Sequence, residues 1–453
     1  MQIHVTAPLF AWDALEDSPS LRTLRDFLRS VPDGRLLESL RLARGRGRND
    51  YPVSECWGVL LLTIALRHKS VDACLCELCR NKDLRELIGI ESESKVPKKW
   101  NMSKFLLVLG SEPHRTLLRE VFDAMVSRLA IVVEDLGVHC AGAATGLNAR
   151  RASSDSERKQ DAREGLAEAS GGRKEYTDDA GNVVRVVEWF GHKLHLLVDV
   201  RHEVATAYAV TDTKAGDGET LPGVLDQAMN NLPAGRIRTL AYDKAADSDE
   251  VHKVLGKKKI KALIQNRSLW KVDLERPLPG RENKTDNIVH DESGTVYCYD
   301  TASTPCVRHA MAYIGHEPSR GTLKYRCPAR HDKWVCSNDA ACNKASSYGR
   351  TIRVKQELDL RRFPAIPRAT KQFERLYKGR TAVERVNARL KLFWGADDGN
   401  ITGARRFHAF VGAVMVVHVA FATLLAATPR RGGPWGKIHL GPIQKALQEG
   451  FAP

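Results

Sequence analysis

The chain has 453 residues, 43% hydrophobic and 28% charged, a composition that excludes a coreless chain and a length that suits roughly two to four structural units. Its formal net charge of +15 points to a polyanionic partner, because each Lys or Arg that neutralises a phosphate releases a condensed counterion. The opening MQIHVTAPLF lacks the basic-then-apolar order of a secretory leader, so the ten cysteines are read as reduced thiols that pack or bind metal.

Residues 1–135 read as a helical N-terminal domain for DNA binding or dimerisation. Apolar residues recur at helical spacing in Leu60, Ile64 and Leu66, then in Leu75 and Leu78. Cys74, Cys76 and Cys79 fall on this pattern as packing residues. The stretch from Val96 to Phe105 sets basic, amide and hydroxyl groups ahead of an apolar helix, which suits either a phosphate contact or an ordinary cap.

Residues 136–265 turn to strands. Val138 to Leu147 reads as a buried strand, Arg150 to Gly181 as a polar loop or insertion, and Phe190 to Val200 and Val204 to Val210 as strands. A helix over Thr220 to Met229, a strand over Thr239 to Tyr242, a helix near Glu250 to Leu255 and a strand over Ile260 to Ile264 follow. That order predicts an α/β fold with an RNase H-like mixed sheet. In residues 266–368 the periodicity weakens and Cys, Tyr, His and Gly become frequent, which reads as a Cys-rich β insertion. Residues 369–453 return to the core with a predicted helix from Lys371 to Trp394 and another from Ala404 to Ala427. The run from Ala409 to Ala427 is apolar for about a membrane span apart from His418, but its charged flanks favour a buried terminal helix over a membrane one.

The informative segment is Tyr377 to Lys391. On a regular helix Tyr377, Arg380, Glu384 and Lys391 fall within about 60° of one another, while Val383, Val386, Leu390 and Phe393 form a different, apolar face. A carboxylate among Arg, Lys and a phenol suits a divalent cation and phosphate oxygens; the competing reading is a solvated helix with ion pairs. The spacing Y-x2-R-x3-E-x6-K resembles the signature of bacterial insertion-sequence transposases with a DDE active site. The resemblance implies that Glu384 is the third catalytic carboxylate and that Tyr377, Arg380 and Lys391 grip DNA, with Arg385 and Asn387 beside them. Upstream, Tyr242-Asp243-Lys244-Ala245-Ala246-Asp247-Ser248 is similar to the family's strand end, so Asp243 takes the second carboxylate position. Ala245 and Ala246 depart from the usual Gly-Tyr. The first Asp belongs to a D-x-T-x-L pattern, and Ala143-Ala144-Thr145-Gly146-Leu147 fits it with Ala143 in the Asp position.

The resemblance further implies two Mg2+ or Mn2+ ions about 3.5 to 4 Å apart in an intact site. It implies double-stranded DNA with terminal inverted repeats and target DNA as partners, a homodimer that brings two ends together, and a cytoplasmic, nucleoid-associated place in a bacterium. A methyl group cannot bind metal, so Ala143 leaves two alternatives: a transposase impaired in cleavage, or a transposase-derived DNA-binding regulator. Asp243 and Glu384 must converge if either holds.

Two further groups of residues carry expectations. Cys327, Cys336 and Cys342, spaced x8 and x5, could hold Zn2+ with Cys298 or Cys306 as a fourth thiolate and His331 between them, or could simply be buried. Arg361, Arg362, Arg368, Lys371 and Arg375 lead into the signature helix, and Lys257, Lys258, Lys259 and Lys261 follow Asp243; both runs suit a DNA strand or a solvated surface. Trp270 or Trp394 could stack on an unpaired base, with burial as the commoner fate of Trp.

Overall fold

A computed structural model describes residues 20–427, apart from 47–48, 151–153, 179–180, 273, 282–286, 344–345 and 399. The opening segment read for a leader and the chain after Ala427 lie outside the described residues. In chain order come α1 (Leu21–Ser30), α2 (Gly34–Arg44), α3 (Val53–Ala65), α4 (Val71–Arg80), α5 (Lys82–Leu87), α6 (Lys99–Leu109) and α7 (His114–Val132). Then follow β1 (His139–Asn148), α8 (Asp155–Arg163), β2 (Ser170–Thr177), β3 (Val183–Asp199), β4 (Ala205–Thr211), α9 (Asp217–Asn231), β5 (Thr239–Tyr242), α10 (Asp249–Lys257) and β6 (Lys261–Ile264). The insertion holds β7 (Glu275–Pro277), β8 (Ile288–Asp291), β9 (Val296–Asp300), β10 (Val307–Ala310), β11 (Ala312–Glu317), β12 (Thr322–Arg326), α11 (Pro328–Asp332), α12 (Asp339–Asn343) and β13 (Thr351–Lys355). Helices α13 (Lys371–Tyr377), α14 (Thr381–Ala388) and α15 (Ala404–Ala427) close it.

These elements divide into two compact units. The first comprises Met1–Val138, Ala143–Arg236 and Thr381–Pro453. Its organiser is α15, apolar on every side and buried from Ala413 to Leu425, which packs against α1, α3, α6 and α7. A helix apolar all round needs cover on all sides, and α1, α3, α6 and α7 share a core with it. Phe27 of α1 stacks on Phe421 at 5.1 Å, and α6 ends so close to α15 that a Cβ on Gly110 would lie 1.9 Å from the Arg405 carbonyl oxygen. The expected terminal helix is therefore a core helix. Beside it β3 and β4 form an antiparallel hairpin with Leu194 opposite Val210, and α9 covers both strands.

The stretch from Arg150 to Gly181 is more ordered than its composition suggests, holding α8 and β2, and β2 pairs antiparallel with β3. Helix α8 is almost entirely polar, and Val183, Val184, Val186 and Trp189 of β3 stay exposed, so neither element has the one-sided apolar pattern that marks a helix or strand.

The second unit comprises His139–Gly142 and Ile237–Arg380. The start of β1 pairs parallel with β5, with Cys140 opposite Leu240 and Ala141 opposite Ala241; β5 pairs parallel with β6. Gly142 is required here because a Cβ would come 2.2 Å from the Tyr242 ring. The insertion forms two antiparallel sheets, ordered β10-β9-β8-β7 and β11-β12-β13. Leu278, Ile288, Val296, Leu323, Tyr325, Ile352, Val354 and Phe363 bury a shared core, so the insertion has more apolar support than its sequence suggests.

The predicted continuous helix from Lys371 to Trp394 is broken. A 3-10 turn at Lys378–Arg380 separates α13 from α14, and a π turn at Arg389–Phe393 follows. Gly379 lowers helix propensity at the first break. The 60° clustering of Tyr377, Arg380, Glu384 and Lys391 assumed one regular helix and does not survive these phase changes. The apolar face does: Val383, Val386 and Leu390 are buried.

Candidate functional site

In the first unit, α14 turns Ala382, Val383 and Val386 inward and leaves Glu384 exposed. Its orientation is fixed by Glu203, a buried residue between β3 and β4. The Glu203 carboxylate accepts from Arg385 Nε and, at 2.8 Å, from Arg389 Nη2. Glu203 has φ +57°, the left-handed region that a β-carbon disfavours, so the double ion pair holds a strained hairpin tip against the signature helix. The next carboxylate along this tip is also structural: Asp199 accepts from the Gly137 N–H at 2.8 Å and the His202 N–H at 2.6 Å. Burial pushes the Asp199 pKa up, and the His202 charge and the two N–H donors oppose that rise.

The π turn brings Lys391 to β1. Its Nζ donates to the Gly146 carbonyl at 2.8 Å and pairs with Asp397 at 2.9 Å; Asp397 in turn accepts from the Asn148 N–H at 2.5 Å. Ala143, partly exposed, lies three residues before Gly146 on the same strand. The Oδ1 of Asn387, on the turn after Glu384, is buried without a hydrogen-bond partner. Thus Ala143, Glu384, Asn387 and Lys391 all belong to this unit, and Arg385 is occupied by Glu203.

In the second unit, Asp243 ends β5 and caps the 3-10 turn Lys244–Ala246, accepting from the Lys244 N–H at 2.6 Å. Four residues on, Asp247 is fully buried. It accepts from Arg361 Nε at 2.9 Å, Arg368 Nη2 at 3.2 Å and the Arg267 N–H at 2.8 Å, and contacts His252 Nε2 at 3.1 Å. Burial alone would raise its pKa, but hydrogen bonds from His252, Arg361 and Arg267 and the charge of Arg368 carry it far below the carboxylate range. This network anchors the segment that follows Asp243. Arg361 and Arg368 are consequently interior, and Arg362 pairs with Asp359 at 2.6 Å, so these three members of the expected basic path are structural. Tyr377 stacks on Phe373 at 5.5 Å. Trp394, in the first unit, is buried, whereas the Trp270 ring packs against the guanidinium groups of Arg276 at 3.9 Å and Arg362 at 4.8 Å.

The residues before α6 form the ordinary cap that was one of the two expectations for them. The Asn101 side chain caps the helix by accepting from the Lys98 N–H at 3.0 Å, and Lys99 pairs with Asp72 at 3.0 Å. Trp100 is 63% exposed and, with Lys104, Arg44 and Tyr51, lines a cavity of about 620 Å³. Cys74 packs as expected, but Cys76 is exposed. In the insertion the Cys298 thiol is pushed up to about 12 by burial and by the neighbouring thiols of Cys327, Cys336 and Cys342.

Asp243 and Glu384 offer the hard oxygen donors that Mg2+ or Mn2+ requires. The donor set is nonetheless short of a two-ion site: position 143 carries a methyl group, and among the described residues no three His, Cys, Asp or Glu side chains are grouped to hold a metal ion. The orphaned Asn387 Oδ1 is neutral and does not replace a carboxylate. The described residues therefore do not supply the donors of a complete two-ion centre. Reading the sequence missed Glu203 and the role of Asp247; the first has no local signal, while the second stood in the quoted motif without an assigned task.

No curated protein matches the chain. A family model described as a transposase DDE domain matches residues 161–420, more than half of its length. The match includes Asp243 at the end of β5 and Glu384 on α14, and it starts after β1 with its Ala143. By that match the chain belongs to the DDE transposase family.

Proposed function

We propose that this chain binds the ends of an insertion sequence as a transposase and that, with Ala143 in the place of the first carboxylate, it cleaves them poorly. In this reading Asp243 and Glu384 are the remaining catalytic carboxylates for Mg2+ or Mn2+, and Tyr377, Arg380 and Lys391 contact DNA near the terminus. Its partners are double-stranded DNA with terminal inverted repeats and target DNA, handled by a homodimer because two ends must be brought together. The family supplies the reaction class, divalent-metal-dependent phosphoryl transfer on DNA.

The single observation that supports impairment is the methyl group at position 143, within the D-x-T-x-L-like run of β1. The same observation favours a second reading, a transposase-derived DNA-binding regulator. One experiment addresses both. End-containing DNA is incubated with Mg2+ and either this chain or its Ala143→Asp version, and products are resolved on a denaturing gel. The transposase reading expects strand cleavage only after Ala143→Asp, and its loss again in Ala143→Asp with Glu384→Gln. Equal cleavage by both chains overturns the assignment of position 143. Binding of end DNA without cleavage by either chain supports the regulator.

A further inference from the structure

Helix α6 turns two faces to different surroundings. Met102, Leu106 and Leu109 are buried in the first unit. Trp100, Lys104 and Val108 follow one another at i, i+4 and i+8, a spacing that sets them on the opposite face, and all three line the cavity of about 620 Å³. The end of α2 adds Leu40 and Arg44 to its wall, and the start of α3 adds Cys56. The whole cavity lies within the first unit and outside the residues matched by the family model.

The floor of this cavity is apolar, for Leu40, Cys56 and Phe105 are buried. Its rim is aromatic and basic. Trp100 is 63% exposed, and among the described residues its ring packs on no other ring or cation. Leaving an indole in water forgoes the large stabilisation that burying it would give. Lys104 is exposed and makes no ion pair among the described residues. The Arg44 guanidinium is held at the rim by donating to the Tyr51 carbonyl, and Arg46 is exposed two residues on. Asp50 is the acid among the described lining residues, so the cations outnumber it.

A flat hydrophobic ring beside cations over an apolar floor matches a heterocyclic base joined to a phosphate. Cavities of roughly 300–1,000 Å³ take a single small ligand, so this one has room for a base and its sugar and not for a duplex. An apolar peptide side chain would use the floor and leave the cations idle, and a second copy of the chain would bring the same positive excess of +15. We propose that the cavity receives one unpaired nucleotide of a DNA strand, with its base on the Trp100 ring and its phosphate at Lys104 and Arg44. This role rests on the DNA-binding reading above and adds to it a preference for unpaired over paired DNA, placed on α6 and away from the carboxylates.

The full chain is titrated against a blunt, fluorescently labelled DNA duplex and against the same duplex carrying a single-stranded oligothymidine tail. The tailed duplex should bind about tenfold more tightly. Trp100→Ala should erase that preference without weakening binding of the blunt duplex, Trp100→Phe should retain most of it, and Trp189→Ala, at an exposed ring on β3, should retain it in full. Lys104→Gln should lower the salt slope for the tailed duplex by about one unit. Binding of both duplexes with no preference for the tail, or a preference that survives Trp100→Ala, overturns the nucleotide cavity and leaves the transposase reading standing. Failure to bind either duplex overturns both. Thymidine monophosphate that displaces the tailed duplex as well as unlabelled tailed DNA does overturns the DNA strand as the occupant in favour of a free nucleotide.

Discussion

The two units weight their buried ionisable groups differently, although the first also holds the ion-paired Glu203 and the second also buries His290. The first keeps histidines neutral: His192, His195, His408 and His418 lie inside it, and burial lowers the pKa of His192 and His195 to about 4 and that of His408 to about 3, with His418 also well below its ordinary value. His418 accepts the Ala205 N–H on Nε2 at 3.0 Å, a bond that protonation would abolish. The second unit keeps its buried charge and surrounds it, holding Asp247 ionised with Arg361 and Arg368. Neutralisation makes a core dependent on pH near neutrality; pairing makes it dependent on each partner being present.

Acid should therefore produce the largest effect. Below about pH 6.5 the unfolded chain takes up protons that the buried imidazoles of the folded chain refuse, so their stability is complete above that pH and drains away as pH falls toward 4. Asp247 stays ionised across this window and adds nothing to the slope. Urea unfolding at a series of pH values checks this, and a midpoint that stays flat from pH 6.5 to 4.5 refutes the neutral-histidine core. Next in size is Asp247→Ala, which strands two buried guanidinium groups and is expected to destabilise by about 3–5 kcal/mol, equally at pH 7 and pH 5.5. A loss under about 1 kcal/mol by the same unfolding measurement would mean that the arginines find other partners. Glu203→Gln is smaller, roughly 2–3 kcal/mol, because the Arg385 side chain is 38% exposed and water can reclaim it. Glu203→Gly should recover part of that loss by relieving the left-handed backbone; a glycine variant less stable than the glutamine one contradicts the strain at this position.

What could be read in advance follows the same division. Strand β5 and helix α15 were bounded correctly because each is a short apolar run or a continuous apolar helix between clear breaks. The β2–β3 ribbon and α8 escaped because their surfaces are solvated and no apolar face marks their period. The break at Gly379 and the π turn were hidden because Val383, Val386 and Leu390 fit a regular helix equally well. Glu203 carries no signal within its own turn; its meaning comes from Arg385 and Arg389, distant in sequence.

The finest comparison lies between α14 and the π turn that follows it. Arg385 and Lys391 both follow Glu384, and both were expected to touch DNA, yet Arg385 is held by buried Glu203 while Lys391 is held by the exposed Gly146 carbonyl and by Asp397. A cation that neutralises a phosphate contributes about one unit to the slope of log binding constant against log salt concentration. We expect Arg385→Gln to leave that slope unchanged for end-containing DNA while lowering stability by about 1–2 kcal/mol, and Lys391→Gln to reduce the slope by about one unit with a stability change near 0.5 kcal/mol. Titrating binding from low to moderate salt separates the two. If Arg385→Gln flattens the salt dependence as much as Lys391→Gln does, the guanidinium serves DNA as well as Glu203, and the structural assignment of Arg385 falls.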